Sequence, residues 1–203
     1  MPTASFPNGI KSERLAAGAT ILRIHQKDYR PIWFGPNPGD RPANRFDAPG
    51  GEYRVMYAAE NLDGAFVEAI LHGKTRNKIL TRAFVGQRAW TSLRAQRDLV
   101  LVKPYDDGLL WHGTDAAVSA SDDYTTPRRI ALALYAEYGE ADGLAYRARH
   151  DNGQICYALF DRVRASDVAP GPPALFQDCA AQIEALMEKY GAVFDDSPAV
   201  PPV

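Results

Sequence analysis

Basic side chains occur at three places in the sequence where an anionic ligand would account for them. They are Arg23 in the apolar stretch ATILRIHQ, Arg45 in the turn-rich segment NRFDAPGG, and the group Arg147, Arg149 and His150 in GLAYRARHDNGQICYALFD. Arginine is rarely buried unless it is paired or binds an anion, and its planar guanidinium suits a phosphate or a carboxylate. Each position also has an ordinary interpretation, namely a solvent-facing strand, a solvated loop and the charged face of an exposed hairpin. None of the three signals is specific by itself.

An acid and an aromatic residue are further candidates. Glu68 lies beside the apolar stripe of NLDGAFVEAILHG, and Tyr57 lies in an alternating stretch, although a solvated helix position and a core tyrosine are the usual roles of such residues. Glu68 and His72 are four residues apart, which would allow both to ligate a metal. The chain has only 4 His, and its two cysteines, Cys156 and Cys179, have no CxxC spacing and resemble small core residues. We therefore expect no metal site.

Composition and charge narrow the class of protein. The 203 residues carry 23 basic and 25 acidic side chains, with a formal charge of -2 and a pI near 6.1, which leaves no global field for nucleic acid. No stretch approaches membrane-spanning length, and the N-terminus lacks the pattern of a signal peptide. The GxGxxG, P-loop, GxSxG and HExxH motifs are absent. We expect a cytoplasmic protein without direct nucleic-acid or membrane contact, in which any anion is bound at a local site.

Two strands and a long loop should position the first candidates. Residues 19–26 alternate as a strand, with Arg23 on the same face as Ile21 and His25, and residues 52–60 alternate as a second strand. The segment between them is dense in Pro, Gly, Asn and Asp, which predicts a loop without regular structure. Loops of this length often carry function.

Helical periodicity predicts three helices. The first, over 61–73, begins at an Asn or Asp cap, ends at a Gly and carries Glu68 near its centre. The second, over 125–139, has a Thr cap and an early Pro, and the third covers roughly 174–191. A short buried strand is predicted over 99–104.

The basic group near residue 148 is predicted to lie on a hairpin. Residues 144–149 and 155–163 have strand character, and HDNG between them is typical of a turn. Strands and helices interleave without regular alternation, so we predict a single mixed α+β domain over the whole chain. Its core should cover about 20–190, with a flexible tail over 192–203.

Three blocks of sequence, taken in order, resemble a known family. ILRIH, NRFDAPGGEYRVMYAAENLDGAFVEAILH and GLAYRARHDNGQICYALFD are similar to the RES domain, the toxin component of a bacterial toxin–antitoxin family named for an Arg, a Glu and a Ser. The resemblance runs from about Ile21 to Asp161. Its most specific part is the middle block, with an Arg–aromatic pair, a Gly turn, a strand ending in Tyr-Ala and a helix with a central Glu.

The resemblance implies a fold and an activity. The fold would be like that of ADP-ribosyltransferases, with split β-sheets around a cleft, flanking helices and NAD lying bent in the cleft. NAD would be the substrate, cleaved between nicotinamide and ribose by hydrolysis or phosphorolysis, or used to transfer ADP-ribose to a protein target. A cognate antitoxin, Xre-like and DNA-binding, would cover the cleft.

The resemblance also implies roles for particular residues. Glu68 and Arg23 match catalytic positions, Arg23 and Arg45 match the residues that hold the pyrophosphate, and Tyr57 matches an aromatic wall of the pocket. The chemistry agrees, because nicotinamide is a cationic leaving group that needs no proton. The enzyme must instead stabilise the positive charge that develops on the ribose, which a nearby carboxylate can do.

One position departs from the family pattern, since the family serine falls on Ala148. Tyr146 and Arg147 match NAD-binding positions, and on an alternating strand Tyr146 shares a face with Ala148, whereas Arg147 and Arg149 point the other way. Three explanations stay open: a natural variant that uses another hydroxyl or water, a substitution that silences a toxic protein, and a degenerate homologue. Losing one such hydrogen bond would weaken turnover about tenfold to a hundredfold and leave NAD binding less affected. A protein ADP-ribosyltransferase and a non-catalytic module that binds nucleotide or antitoxin are the alternative functions.

Overall fold

The structure is a computed structural model, and it describes residues 6, 8–73 and 77–195. The strands in this part of the chain are β1 (Ser12–Leu15), β2 (Thr20–Gln26), β3 (Val55–Ala59), β4 (Ile79–Thr81), β5 (Arg88–Ala95), β6 (Leu99–Val102), β7 (Gly143–Ala148), β8 (Asp151–Phe160), β9 (Val168–Pro170), β10 (Ala174–Leu175) and β11 (Val193–Asp195). The α-helices are α1 (Leu62–Phe66), α2 (Arg82–Gly86), α3 (Asp107–Trp111), α4 (Ala117–Ala120), α5 (Thr125–Glu137) and α6 (Ala180–Tyr190). A π-helical turn over Val67–Leu71 continues α1.

Most strands form one sheet that divides into two halves. Its order is β1-β6-β7-β8-β3-β2-β5-β10, β9 also pairs with β5, and β4 and β11 form a separate parallel pair. Strand β2 pairs with β5 along all seven of its residues, but it meets β3 only at Leu22 opposite Ala59. The halves therefore separate beyond this one pair. The prediction of a single α+β domain with split sheets is confirmed.

The loop between β2 and β3 keeps the halves apart. Val55 exchanges two backbone hydrogen bonds with Gly35, at N···O distances of 2.8 and 3.0 Å, on the side of β3 that would otherwise face β2. Because a backbone group bonded to the loop is not available to β2, the two strands diverge here. The loop otherwise has no regular element, as predicted.

Apolar side chains fill cores on both faces of the sheet. Alternate residues of β3 face opposite cores, with Val55 and Tyr57 in one and Met56 and Ala58 in the other, which confirms the predicted period of two. A third core lies between the π-helical turn, β4 and α6. No helix of the described residues is long and apolar enough to span a membrane.

The predicted helices lie at the expected places in the sequence, but some of their ends differ from the prediction. The Asn61 side chain caps α1 by accepting from the backbone of Gly64 at 2.9 Å, as predicted. The predicted Thr cap of α5 was wrong, because the carboxylate of Asp123 accepts from the amide of Thr125 at 2.8 Å. Helix α6 begins later than predicted, since residues 174–175 pair with β5.

The hairpin and the tail also differ from expectation. The predicted turn over 150–153 was wrong: Asp151 already belongs to β8, so only Arg149 and His150 connect the strands, next to a register shift between Arg147 and Ala148. The tail predicted to be flexible begins with β11, which pairs with β4. Residues 196–203 lie outside the described residues.

Candidate active site

A cleft of about 690 Å³ opens where β2 and β3 diverge, within the size range of small-molecule sites. Five of the predicted site residues line it: Arg23, Arg45, Tyr57, Glu68 and Tyr146. They come from β2, the following loop, β3, the π-helical turn and β7. The structure thus brings together side chains that are far apart in sequence.

Glu68 is fixed by two hydrogen-bond donors from β7 and its turn. Its Oε2 accepts from the Tyr146 hydroxyl at 3.3 Å, and its Oε1 accepts from the backbone amide of Arg149 at 3.1 Å. The helix that carries Glu68 can lie close to the sheet because Gly64 has no side chain. A Cβ at this position would be only 3.2 Å from the Cβ atoms of Ala59 and Gln154. π-Helical turns of this kind are frequent at functional sites. The carboxylate is therefore held in place, and it remains partly open to the cleft.

Arg45 is buried with part of its guanidinium unpaired. It is 5% exposed, its Nη1 donates to the carbonyl of Ser121 at 2.8 Å, and its Nη2 has no hydrogen-bond partner among the described residues. Its guanidinium lies 4.7 Å from the ring centre of Tyr124. Burial lowers the pKa of Arg45, and the charges of Tyr124 and Glu68 oppose that shift. A buried donor without a partner is costly, so an anion in the cleft would stabilise it.

The loop that carries Arg45 is held by a buried carboxylate. Asp47 is fully buried, and its Oδ2 accepts from the amides of Ala43 and Asn44 at 2.9 and 2.7 Å. Its Oδ1 accepts from the hydroxyl of Tyr57 at 3.0 Å, and that hydroxyl accepts from the amide of Phe46 at 3.0 Å. Burial and the nearby Asp47 raise the pKa of Tyr57 well above its usual value. The tyrosine hydroxyl is thus occupied, and its ring forms a wall of the cleft.

Arg23 is a second guanidinium that has no carboxylate partner in the described part of the chain. Its Nη1 donates to the carbonyl of Trp33 at 2.7 Å, and none of the ion pairs in the described part of the chain includes it. Burial lowers its pKa to about 10, so it stays charged at neutral pH. Neither Arg23 nor Arg45 forms an ion pair among the described residues, although the carboxylates of Asp40, Asp47 and Glu68 line the same cleft.

Comparison with known proteins identifies the family. The family model described as the RES domain matches residues 20–178, more than half of the chain.

The chain belongs to the RES domain family.

A solved structure supports the fold assignment of this RES domain. The chain is similar to the crystal structure of the M. tuberculosis MbcT–MbcA toxin–antitoxin complex. The TM-score is 0.66 and the identity is 12%, over 84% of this chain and 90% of that chain. Identity this low bears on the fold alone. A search of curated proteins finds no match.

The cleft of this RES domain also contains aromatic residues that the sequence motifs did not indicate. Tyr124 lies between two guanidiniums, 4.7 Å from that of Arg45 and 5.3 Å from that of Arg128, and its hydroxyl is 2.8 Å from Nε2 of His72. Trp33 lies in the loop beside Arg23. Neither aromatic belongs to a periodic pattern, so only the folded chain identifies them.

Two residues that were predicted to belong to the site, Arg147 and Ala148, do not line the cleft. Arg147 points to the other face of the sheet, where its Nη2 lies 3.3 Å from the carboxylate of Asp106, its Nη1 donates to the carbonyl of Asn152 at 3.0 Å and its guanidinium lies over Tyr105. Ala148 is fully buried in the same core as Tyr146. The backbone next to Ala148, rather than its side chain, reaches Glu68.

The rest of the basic group is also accounted for within the RES domain. Arg149 forms an ion pair with Asp122, so the anions that neutralise Arg147 and Arg149 are aspartates of the protein. The His150 ring lies 6.2 Å from that of His72, and burial, then the charges of Arg149 and His72, lower the pKa of His150. No group of three His, Cys, Asp or Glu that would hold a metal occurs in the described ranges.

Proposed function

We propose that this chain is the toxin of a toxin–antitoxin system and depletes NAD by cleaving the bond between nicotinamide and ribose. The observation that carries the proposal is that Glu68, fixed by two donors, shares one cleft with Arg23 and Arg45, which have no carboxylate partner among the described residues. This combination suits a substrate with a negatively charged pyrophosphate and a reacting carbon that becomes positive. Membership of the RES family supports the same activity.

In the reaction, Arg23 and Arg45 bind the pyrophosphate, and the free Nη2 of Arg45 gains a partner. The C–N bond breaks with its electron pair moving to nicotinamide, which leaves as a neutral molecule. Glu68 stabilises the positive charge on the ribose carbon and ring oxygen, and the ring of Tyr57 limits the entry of water. Water then attacks the ribose carbon and loses a proton to solvent, which gives ADP-ribose, or phosphate attacks the same carbon and gives ADP-ribose 1-phosphate.

An antitoxin completes the proposed system. The similar M. tuberculosis structure is a toxin–antitoxin complex. We propose that the antitoxin of this chain, an Xre-like DNA-binding protein, covers the same cleft and excludes NAD. The cleft is open in the isolated chain, so inhibition requires only that a partner blocks its mouth.

Nicotinamide release from NAD tests the enzymatic part of the proposal. Glu68→Gln keeps the size and polarity of the side chain but removes its charge, so kcat should fall about 100-fold or more. Glu60→Gln is the matched control, because Glu60 is exposed at the end of β3 and should leave the rate unchanged. Urea unfolding of both variants checks the fold. A Glu68→Gln variant with full activity would overturn the proposal.

The same assay separates the acceptors and the alternative functions. Release that requires phosphate identifies phosphorolysis, and release in its absence identifies hydrolysis. Radiolabel from NAD that appears on one protein of a lysate would favour a protein ADP-ribosyltransferase. NAD binding without release, both before and after Ala148→Ser, would favour a non-catalytic homologue.

A further inference from the structure

Trp33 is an exposed aromatic side chain at the mouth of the cleft. Trp33 lines the cleft, and 45% of the residue is exposed. The loop is held there by the two backbone hydrogen bonds between Gly35 and Val55 and by the hydrogen bond from Arg23 to the Trp33 carbonyl. The backbone is therefore held at the carbonyl of Trp33 and again two residues further along the chain.

Gly35 makes room for the indole. A Cβ at position 35 would lie 2.0 Å from Cη2 of Trp33, so any larger residue would displace the ring. Large apolar groups are normally buried, and an exposed indole held at a cleft mouth offers an aromatic surface to a ligand. Nothing in the proposed bond cleavage uses this surface.

The charges and contacts order the residues along the cleft. Glu68 and Arg45 both line the cleft, and His72, which follows the π-helical turn of Glu68, lies 2.8 Å from the hydroxyl of Tyr124, whose ring lies against Arg45. Arg23 contacts Trp33 instead, with its guanidinium 6.0 Å from the ring centre. Arg45 is therefore associated with Tyr124 and the helix of Glu68, whereas Arg23 is associated with Trp33 in the same cleft.

We propose that Trp33 stacks on the adenine ring of NAD and makes the cleft selective for the dinucleotide. This inference rests on the proposed function. In NAD the pyrophosphate separates the nicotinamide riboside from the adenosine. When the ribose is at Glu68 and the pyrophosphate is at the two arginines, the adenosine extends past Arg23 to Trp33. Stacking of a base on an aromatic side chain has the strength to change affinity about tenfold to a hundredfold.

Trp33→Ala should raise KM for NAD about tenfold or more and leave kcat nearly unchanged. The same variant should cleave nicotinamide mononucleotide like the parent protein, because this substrate lacks the adenosine. Trp33→Phe should restore most of the affinity for NAD. Trp111→Ala is the matched control, since Trp111 is 44% exposed but lies on α3 outside the cleft. Equal changes in KM for NAD and the mononucleotide would overturn the proposal and place the indole at the nicotinamide.

Binding of ADP and of inorganic pyrophosphate separates this inference from the enzymatic one. Isothermal titration should show that Trp33→Ala weakens ADP about tenfold and leaves pyrophosphate unchanged. This result, in a protein that releases no nicotinamide, would overturn the proposed function and retain the adenine site. Unchanged ADP affinity in Trp33→Ala would overturn the adenine site, whether or not NAD is cleaved.

Discussion

At the scale of single residues, neighbours on one strand serve different parts of the molecule. Tyr146 faces the cleft and donates to Glu68, whereas Arg147 crosses to the opposite face and pairs with Asp106. The register shift after Arg147 then turns the amide of Arg149 toward Glu68. Side-chain alternation and one irregularity therefore decide which members of a basic sequence motif belong to the site.

Ala148→Ser should raise kcat for nicotinamide release about tenfold and change the Kd for NAD little. Position 148 precedes the amide of Arg149 that holds Glu68 and belongs to the same core as Tyr146, and one further hydrogen bond in the transition state is of that order. Nicotinamide release under saturating NAD is the measurement.

Ala145→Ser is the control for that substitution. Ala145 is equally buried on β7, but it belongs to the core on the other face of the sheet. Both serines place a hydroxyl in a core and should lower the free energy of unfolding, so only turnover distinguishes them. Equal turnover in the two variants would exclude a catalytic role for a hydroxyl at position 148.

The sequence motifs indicated Tyr57 and Tyr146 among the aromatic residues of the cleft, but not Trp33 and Tyr124. Arg23 and Glu68 could be identified because each lies in a sequence block that resembles the RES domain. Trp33 and Tyr124 could not, because a loop residue and a residue before a helix have no periodic neighbours. Arg147 was expected at the cleft, and the structure instead places it beside Asp106.

At the scale of elements, the loop before β3 is built around one carboxylate. Asp47 accepts from two loop amides and from the hydroxyl of Tyr57, so it joins the loop to the strand behind it. Arg45 is two residues away and depends on this arrangement for its position. The segment is irregular in its dihedral angles, and it is nevertheless fixed by hydrogen bonds.

Asp47→Ala should lower the free energy of unfolding by about 2–4 kcal/mol, because it leaves buried donors without an acceptor. It should also raise KM for NAD, since Arg45 loses its support. Urea unfolding and steady-state kinetics measure the two effects.

Asp40→Ala is the comparison for this loop. Asp40 is exposed and its side chain accepts one hydrogen bond, from Asn37 at 3.1 Å, so its removal should cost less than about 0.5 kcal/mol. If both aspartate variants had the same stability, the loop would not depend on the carboxylate of Asp47.

Strands and helices with a regular spacing of apolar residues could be predicted from the sequence, and those without it could not. Strand β3 and the helix that carries Glu68 were predicted because their apolar residues repeat at two and at helical spacing. Strand β5 was not anticipated, since RAWTSLRA mixes charges with small residues, and its strand state depends on pairing with β2, β9 and β10. The hairpin turn was placed too late, because the polar residues of HDNG are accommodated in the exposed start of β8.

At the scale of the whole molecule, Arg97 joins the two halves of the sheet. It lies between β5 and β6, and donates to both oxygens of Asp142 at 2.7 and 2.8 Å and to Asp167 at 3.3 Å. Asp142 precedes β7 in one half, and Asp167 precedes β9 in the other. The hydrogen bonds from Arg97 to Asp142 are the main reason that the pKa of Arg97 is raised.

Arg97→Ala should lower the free energy of unfolding by about 2–4 kcal/mol, because it leaves the buried carboxylate of Asp142 without its cation. This expected loss of stability is small for a buried ion pair, because the Arg97 side chain is 41% exposed. Urea unfolding at neutral pH is the measurement.

Arg14→Ala removes the exposed pair with Asp98 and should cost less than about 1 kcal/mol. A loss of the same size in the two arginine variants would show that the Arg97 pairs contribute no more than an ordinary surface contact.

The division of the sheet has a consequence for how the chain is synthesised. Leu22 of β2 pairs with Ser92, and Tyr57 of β3 pairs with Ala158, so each wall of the cleft requires a strand made much later. A topology with such distant partners folds slowly, and a chain still emerging from the ribosome cannot assemble it. Translation therefore delivers an incomplete cleft until β8 has been released. If the chain cleaves NAD as proposed, it cannot do so during this interval.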